Sequence, residues 1–553
     1  MKKIYLAAMI AVAVMPLSAQ ETYENAKIAQ EDLNGTARYV GMGGAMEALG
    51  ADISTISTNP AGIGMFRKSQ VSTSFGLVMQ SDVSNAVGGN KTKVSFDQIG
   101  LVLSSRMGPT SYVNFAFNYH KSRNFNQILS ASSALNNASL NKLTYNKGNN
   151  ELVYPQQAGV DIYKRDASGN IIGYNHRPDF DKLPYFSCNQ LDDLLARGYN
   201  WATFTDGGGA PYKEWTCDDA YKYQFDRAHK GYIGVYDFNL SGNINNRLYL
   251  GLTVGIHDVH YKAYSEYTEY MHVTTTRDYS LTVADNREIT GTGFDIKLGA
   301  IIRPIAESPF RIGISIASPV FYELRTSNYT YIVDSENNSL NSTQVAEFHK
   351  GRTNYKFKLN TPWKFGLSLG HTIGTQVALG LSYEYADYGS MDTRCITGET
   401  YNNWSDSYTT ESESDKVMNQ HTERTLKGVH TLKLGAEYKP VKDVALRIGY
   451  NYVSPMYKKD GFRDGSLSSF GTYVASTTDF TNWEDTHRLT IGTGYSFDNF
   501  NLSIAYQFST TKGTFRPFMS YEDANVPADD NYSGSVSVNN KRSQLLCSLT
   551  YTF

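Results

Sequence analysis

The sequence predicts an all-β protein: a 14-stranded antiparallel transmembrane β-barrel with an N-terminal hatch, or plug, and long, partly helical extracellular loops. Three observations predict this fold class. The chain opens with an export signal, fourteen later segments alternate apolar with polar or small residues, and the connections between those segments alternate between short and long. Short turns at one end and long loops at the other are typical of bacterial outer-membrane barrels.

Residues 1–19 have the features of a secretory signal peptide. Lys2 and Lys3 precede an apolar run from Ile4 to Val14, and a small-residue cleavage site follows at Leu17-Ser18-Ala19. The apolar run is too short to span a bilayer, and no later run reaches about 18 apolar residues. The mature chain is therefore either a soluble exported protein or a β-barrel.

Composition does little to decide between a soluble exported protein and a β-barrel. The 553 residues would make three or four soluble domains or one large barrel. The net charge of -3 gives no argument for nucleic acid as a partner. Tyrosines (41) far outnumber tryptophans (5), which suits a protein with two membrane–water interfaces and would also suit a secreted carbohydrate binder.

The fourteen predicted strands show a period of two. In the last of them Leu545, Cys547, Leu549, Tyr551 and Phe553 form one apolar face. An even number of strands allows the last to pair with the first, which removes the sheet edge. The terminal Phe553 resembles the assembly signal of outer-membrane barrels, so the assembly machinery is an expected partner. The predicted strands cover residues 70–79, 99–103, 113–119, 236–240, 248–256, 294–298, 310–316, 363–369, 377–385, 432–438, 444–452, 489–497, 502–508 and 545–553.

Short and long connections alternate along the barrel segment, residues 69–553. With the N-terminus on the periplasmic side, every short connection falls at the periplasmic end and every long one at the extracellular end. The short connections cover residues 107–111, 245–247, 373–375, 440–443 and 498–501, and the long ones 125–230, 334–352, 397–427, 459–485 and 515–541.

The longest predicted loop, about residues 125–230, has structure of its own, with a helix expected over 126–143. Three leucines at helical spacing are followed by two aromatic residues, and together they are candidate ligand-binding residues. This apolar stripe covers either the barrel mouth or a hydrophobic ligand, or it forms the core of a self-packed surface subdomain. The candidates are Leu191, Leu194, Leu195, Trp201 and Phe204.

Two cysteines, Cys188 and Cys217, flank part of this loop and could form a disulfide in an oxidising compartment. Neither they nor the 11 scattered histidines have the spacing of a metal site. No catalytic pattern is apparent, so a protein without enzymatic activity, cofactor or metal is expected.

Residues 20–68 precede the first strand and lack strand periodicity. Glycines at Gly41, Gly43 and Gly44, and the turn-forming run Asn59-Pro60-Ala61-Gly62, predict short helices, tight turns and close backbone approach. Fourteen strands enclose a lumen wider than side chains alone fill. The segment is therefore expected to fold into the lumen as a hatch.

The hatch motifs resemble those of the FadL/TodX family of outer-membrane transport proteins. The matching runs are Gly35-Thr36-Ala37-Arg38, Gly41-Met42-Gly43-Gly44-Ala45 and Asn59-Pro60-Ala61-Gly62, with further similarity at 361–366 and 434–438. The resemblance implies passive uptake of hydrophobic molecules such as long-chain fatty acids across a Gram-negative outer membrane. Ligand would be captured by the loops, bound in an apolar pocket and released past the plug or through a lateral opening.

The resemblance further implies outer-membrane lipid, lipopolysaccharide and a hydrophobic small molecule as partners, with the protein a monomer. Pro319, Pro362 and Pro455 cannot donate to a strand ladder, so they are candidate wall kinks or simple strand ends.

Two other functions remain open. A plugged barrel with this leader also resembles components of the type IX secretion machinery, in which the barrel is a docking partner. A haem receptor would need axial ligands in the loops, for which His176, His229, His349 and His421 are available.

Overall fold

A computed structural model describes most of the chain. The predicted signal peptide, residues 1–19, lies outside the described residues, as do His176, Cys188 and His349. Within the part that is described, no helix is long and apolar enough to cross a membrane. The described residues are 21–136, 138–151, 163–165, 167, 171–174, 190–205, 207–209, 211–274, 277–335, 339–341, 354–402, 407–464, 467, 469–473, 476–477, 479–520 and 530–553.

Strands dominate the described structure, and the helices are short. The strands are β1 (Gln70–Ser81), β2 (Thr92–Arg106), β3 (Tyr112–Asn124), β4 (Gln127–Ala134), β5 (Tyr163–Arg165), β6 (Ile171–Tyr174), β7 (Trp201–Thr205), β8 (Pro211–Trp215), β9 (Ala220–Ile244), β10 (Leu248–Thr274), β11 (Arg277–Ile302), β12 (Arg311–Ala317), β13 (Phe321–Asp334), β14 (Ser339–Asn341), β15 (Asn354–Asn360), β16 (Lys364–Ile373), β17 (Val377–Asp387), β18 (Asp392–Asn402), β19 (Ser407–Ser414), β20 (Gly428–Val441), β21 (Val444–Val453), β22 (Phe480–Phe497), β23 (Phe500–Arg516) and β24 (Val536–Thr552). The α-helices are α1 (Thr22–Ala29), α2 (Ala37–Gly41), α3 (Leu140–Glu151), α4 (Gln190–Leu195), α5 (Lys416–Thr425) and α6 (Phe470–Tyr473). Short 3-10 helices cover Ile53–Ser57, Pro60–Met65 and Tyr388–Ser390, and a π-helical turn covers Ala196–Asn200.

Fourteen antiparallel strands close into a barrel, in the order β1, β2, β3, β9, β10, β11, β12, β16, β17, β20, β21, β22, β23 and β24. The circuit closes between β24 and β1, which pair from Gln70 with Thr552 to Ser81 with Lys541. All fourteen predicted strands are therefore confirmed.

The period of two separates a lipid-facing surface from the lumen. On β24, Leu545, Cys547 and Leu549 are exposed on the outside, whereas Leu546 and Ser548 are buried inside. The same alternation leaves an exposed apolar band on the barrel strands from β1 to β24. A closed barrel satisfies its backbone hydrogen bonds internally, so this surface suits the bilayer interior and defines a transmembrane barrel.

One end of the barrel carries the predicted short turns. Asn245 and Asn246 connect β9 to β10 with positive φ angles of 53° each. This left-handed geometry matches strand twist in a tight hairpin. The turn places Arg247 directly beside the end of β11, where the Arg303 amide donates to the Arg247 carbonyl at 2.8 Å.

At the long-loop end of the barrel, several strands are longer than predicted. Strands β9, β10 and β11 contain 25, 27 and 26 residues and extend well beyond their neighbours. Residues 127–134 form strand β4 on the extension of β9, so the helix predicted over 126–143 is wrong in its first half. The extended edge of β9 provides partners for a strand there, and the helix α3 begins only at Leu140.

Two neighbouring strands of the wall are interrupted at the same height, and the two interruptions together are called the seam. Residues 318–320 separate β12 from β13, and residues 361–363 separate β15 from β16. Pro319 and Pro362 lie in these interruptions, and Pro455 follows the end of β21. Two hydrogen bonds still cross this seam: the Val320 amide donates to Thr361 Oγ1 at 2.8 Å, and the Thr361 amide donates to the Val320 carbonyl at 3.2 Å.

Candidate functional site

Residues 21–66 lie inside the barrel, where most of them are buried. Thr36 caps the helix α2 by accepting from the Tyr39 amide, and its hydroxyl donates to the Asp52 carboxylate at 2.8 Å. The Ala37 amide donates to Ser548 Oγ on β24 at 2.7 Å. Hydrogen bonds therefore connect the segment both to itself and to the wall, and its role as a hatch stays a prediction.

The signature Asn59-Pro60-Ala61 rests directly on wall glycines. Gly251 of β10 pairs with Gly299 of β11, and neither places a side chain between wall and hatch. A Cβ atom at Gly251 would lie 2.4 Å from the carbonyl carbon of Pro60, and one at Gly299 would lie 2.1 Å from Asn59 Oδ1. The close approach therefore requires glycine at both wall positions.

Asn59 joins the hatch to the wall. Its Oδ1 accepts from the Ala61 amide at 3.2 Å and so caps the 3-10 helix that starts at Pro60. Its Nδ2 donates to the Ile314 carbonyl on β12 at 3.3 Å. Gly62 faces Thr55, where a Cβ would lie 2.5 Å from Oγ1. The motif therefore has a structural role in seating the hatch.

Gly41, Gly43 and Gly44 form a second contact between the hatch and the wall. Gly43 and Gly44 adopt positive φ angles of 63° and 81°, which favour glycine. A Cβ at Gly449 of β21 would lie 2.2 Å from the Gly43 nitrogen. Gly41 lies against Gly492 of β22, whose Cα is 3.4 Å from a Cβ built at Gly41.

Buried ion pairs also hold the hatch. Arg38 forms two hydrogen bonds with Glu437 of β20, Nε–Oε2 at 3.0 Å and Nη2–Oε1 at 3.2 Å. Arg447 of β21 binds the same carboxylate at 2.7 Å. Lys433 of β20 pairs with Glu47 of the hatch at 2.8 Å.

Above the hatch, towards the long-loop end, lies a cavity of about 250 Å³. One part of its lining has an excess of positive charge. Asp32 of the hatch pairs with Arg123 at 2.9 Å and with Arg542 at 3.7 Å. Arg488 donates to Asn451 Oδ1 at 2.8 Å. Burial raises the pKa of the Asp32 carboxyl, but Arg123, Arg542 and Arg488 outweigh burial and hold that pKa below its usual value.

Another part of the same lining is aromatic and apolar. Tyr23 of α1 stacks on Tyr457, with ring centroids 5.2 Å apart, and contacts Phe480 at the same distance. Phe125 and Met456 also line the cavity. A molecule that combines an anionic group with an apolar body therefore matches both parts of the lining.

The predicted ligand-binding leucines lie elsewhere. Leu191, Leu194 and Leu195 are at most 1% exposed and pack in a cluster with Phe225 and Phe515, away from the lining of this cavity. Trp201 and Phe204 belong to β7, which pairs with β8; these two residues are opposite Trp215 and Tyr212. Ligand binding by these five residues stays a prediction, and the leucines pack against side chains of the extended barrel strands.

Other predicted site residues are only partly described. The disulfide between Cys217 and Cys188 stays a prediction, because Cys188 lies outside the described residues. His421 contacts Thr22 Oγ1 through Nδ1 at 2.9 Å and the Phe462 carbonyl through Nε2 at 3.0 Å. His229 lines the cavity. No group of three or more His, Cys, Asp or Glu residues in the described ranges could hold a metal ion.

Sequence reasoning missed the arginine group. Arg123, Arg488 and Arg542 come from β3, β22 and β24, so no local motif connects them. The available signal was the recurrence of arginine near the long-loop ends of three strands that the closed barrel brings together.

The geometry defines the class of protein: a closed transmembrane barrel whose lumen holds residues 21–66, with an amphipathic cavity between that segment and the long-loop end. No model of a known protein family and no curated protein sequence matches the chain. The chain is similar to solved structures of a Pseudomonas aeruginosa FadL homologue (12% identity, 95% of this chain and 100% of that chain covered, TM-score 0.45), the Ralstonia pickettii toluene transporter TbuX (9%, 94% and 99%, 0.43) and the Pseudomonas putida toluene transporter TodX (10%, 95% and 99%, 0.43). These proteins belong to the group that the hatch motifs resemble.

Proposed function

We propose that this protein is a channel of the Gram-negative outer membrane for passive uptake of hydrophobic small molecules such as long-chain fatty acids. The observation that carries the proposal is the amphipathic cavity, in which arginines and aromatic side chains line one enclosed space above the hatch. A hydrophobic molecule with a carboxylate head uses both kinds of lining, whereas a small polar solute uses only one.

The carboxylate and the alkyl chain of such a ligand are stabilised by different parts of the cavity lining. The carboxylate accepts charge-assisted hydrogen bonds from Arg488 and Arg542, which together with Arg123 exceed the charge of Asp32. The alkyl chain gains about 0.8 kcal/mol for each methylene group that it buries against Tyr23 and its neighbours. Loop capture would precede this binding step.

Release has two possible routes, because the hatch fills the lumen below the cavity. The ligand leaves past the hatch or sideways through the seam at residues 318–320 and 361–363. The seam supports the lateral route: Pro319 and Pro362 provide no ladder donors there, and two hydrogen bonds between Val320 and Thr361 bridge it.

The test is direct binding of a long-chain fatty acid to the purified protein by calorimetry, together with mass spectrometry of small molecules that co-purify from outer membranes. Arg488→Gln combined with Arg542→Gln should weaken binding about tenfold or more, because each lost bond involves a charged group. Arg325→Gln is the matched control, since Arg325 is exposed on β13 and does not line the cavity.

Unchanged binding in the double variant would contradict the proposed site. A barrel that purifies without any small molecule but with large protein partners in fixed ratio would favour the docking function in a secretion machinery instead.

A further inference from the structure

The imidazole of His229 has a buried nitrogen without a hydrogen-bond partner. His229 is on β9, is 7% exposed and lines the cavity above the hatch. Its Nε2 is buried and has no hydrogen-bond partner among the described residues. The ring of Tyr261 packs edge-on against it, with ring centroids 5.4 Å apart. A buried polar group without a partner has lost its hydrogen bonds to water, so a ligand that supplies one is stabilised there.

The hydroxyl group of Thr481 is a second buried polar group of this kind. Thr481 is on β22, lines the same cavity, and its buried Oγ1 has no partner in the described part of the chain. Arg227 and Asp479 form an ion pair, and each lies two residues nearer the long-loop end than His229 and Thr481, respectively. Because β9 and β22 run in the same direction, this ion pair places His229 and Thr481 at a similar height in the lumen.

The strongest charges around His229 are already paired. Arg227 and Lys27 are the two cations with the largest electrostatic effect on its imidazole. Arg227 pairs with Asp479, and Lys27 pairs with Glu24 at 2.8 Å. A neutral hydrogen-bonding group therefore suits this place better than a second carboxylate. A hydroxyl group both donates and accepts, so it can bind the imidazole in either tautomer.

An apolar stretch separates His229 from the arginines of the cavity. Arg123 of β3 is opposite Ile233 of β9, and His229 lies four residues further along β9 towards the long-loop end. At about 3.3 Å per residue, the two heights differ by about 13 Å. Phe125 lies between them: its amide donates to the Gly231 carbonyl at 3.0 Å, and it lines the cavity. Along this wall the lining is therefore cationic, then apolar, then neutral and polar.

We propose that the cavity prefers a long-chain carboxylate with a hydroxyl group on its alkyl chain. The inference rests on the proposed uptake function and names the substrate class of the same site. The carboxylate binds the arginines, the alkyl chain passes Phe125, and the hydroxyl group binds between His229 and Thr481. His229 is the specificity-determining residue, because an unsubstituted alkyl chain leaves its imidazole without a partner.

The test is calorimetry of the purified protein with octadecanoic acid and with the same acid bearing one mid-chain hydroxyl group. The wild type should bind the hydroxylated acid about tenfold more tightly, the effect of one hydrogen bond to a buried group that otherwise lacks a partner. His229→Phe keeps an aromatic ring without the ring nitrogens and should bring the ratio of the two dissociation constants close to one. Thr481→Val removes the second polar group and should also lower this ratio.

His430→Phe is the matched control, because His430 of β20 is exposed and does not line the cavity. Its ratio of dissociation constants should equal that of the wild type. Heat-dependent gel migration checks that each variant is folded, and if His229→Phe does not fold, the wild-type ratio and Thr481→Val still decide.

The outcomes separate this inference from the proposed function. Equal affinity of the wild type for the two acids would overturn the preference for a hydroxyl group and leave the uptake function standing. Failure of both acids to bind would overturn the uptake function and the inference with it. A preference that persists in folded His229→Phe would overturn the role of His229.

Discussion

Arg38 of the hatch and Glu437 of β20 form a two-point ion pair, with N–O distances of 3.0 and 3.2 Å. The carboxylate also accepts from Arg447 at 2.7 Å. One wall carboxylate is thus shared by a cation from the hatch and a cation from the neighbouring strand, and the position of the hatch depends on that shared carboxylate.

Glu437→Ala should lower the free energy of unfolding by about 3 kcal/mol, because it leaves a buried arginine without its partner. The measurement is the urea unfolding midpoint in detergent. Glu288→Gln is the control: Glu288 pairs with Lys262 on the exposed surface, with 46% and 63% of their side-chain areas exposed. A loss of at most about 0.5 kcal/mol is expected there. Equal effects would show that Glu437 does not anchor the hatch.

Gly251→Ala should displace the hatch. The new methyl group would lie 2.4 Å from the Pro60 carbonyl carbon, and backbone on both sides cannot yield without moving the Asn59-Pro60 contact. We expect single-channel conductance in planar bilayers to rise above the wild-type value. Gly108→Ala serves as the control, since its nearest neighbour to an added Cβ is 3.7 Å away. Wild-type conductance in Gly251→Ala would refute the tight contact.

Acid should destabilise the protein partly through Asp32. Its folded-state pKa lies below the usual value of 3.8, because Arg123 and the other arginines outweigh burial. The stabilisation is therefore present above pH 3.8 and is lost as pH falls through the lower, folded pKa. Asp32→Asn should be less stable at pH 7 and lose less stability on acidification, so that the two unfolding curves approach each other at low pH. Parallel curves between pH 6 and pH 2 would exclude this role.

A disulfide across the seam should test the lateral route. Val320→Cys with Thr361→Cys joins adjacent strands where antiparallel partners lie within disulfide reach. If ligand leaves through the seam, oxidation should lower fatty-acid uptake into cells several-fold, and a reductant should restore it. Ser327→Cys with Asn354→Cys links the same two strands at a regular pair and should transport normally. Full uptake by the oxidised seam variant would assign release to the hatch.

The barrel could be predicted because its determinants are local. The sequence shows the alternation of apolar and polar residues within a strand such as β24, and it shows the length of each connection. These two features determine the number of strands and the closure of the barrel. Strand β4 could not be predicted, since its partner is the extension of β9 beyond β3, which depends on the folded wall. The same limit applies to the site: Arg123, Arg488 and Arg542 become neighbours only when the barrel closes.

The leucines of the long loop illustrate a second limit. Leu191, Leu194 and Leu195 have the spacing of an apolar stripe, and that spacing alone does not distinguish a ligand pocket from a small core. The structure packs them against Phe225 and Phe515 of the barrel extension. The cavity instead takes its aromatic residues from separate segments, including Tyr23 of the hatch and Tyr457 after β21.

The hydrogen bond between Ala37 and Ser548 joins residues 511 positions apart, and Arg38 reaches Glu437 across 399 positions. The hatch is synthesised before every barrel strand, yet its partners are among the last strands to be made. Throughout synthesis and export, its buried charges and apolar residues have none of these partners. Contacts of such long range also make folding slow. Residues 21–66 can therefore reach their final contacts only after β20 to β24 have been made and the wall has closed around them.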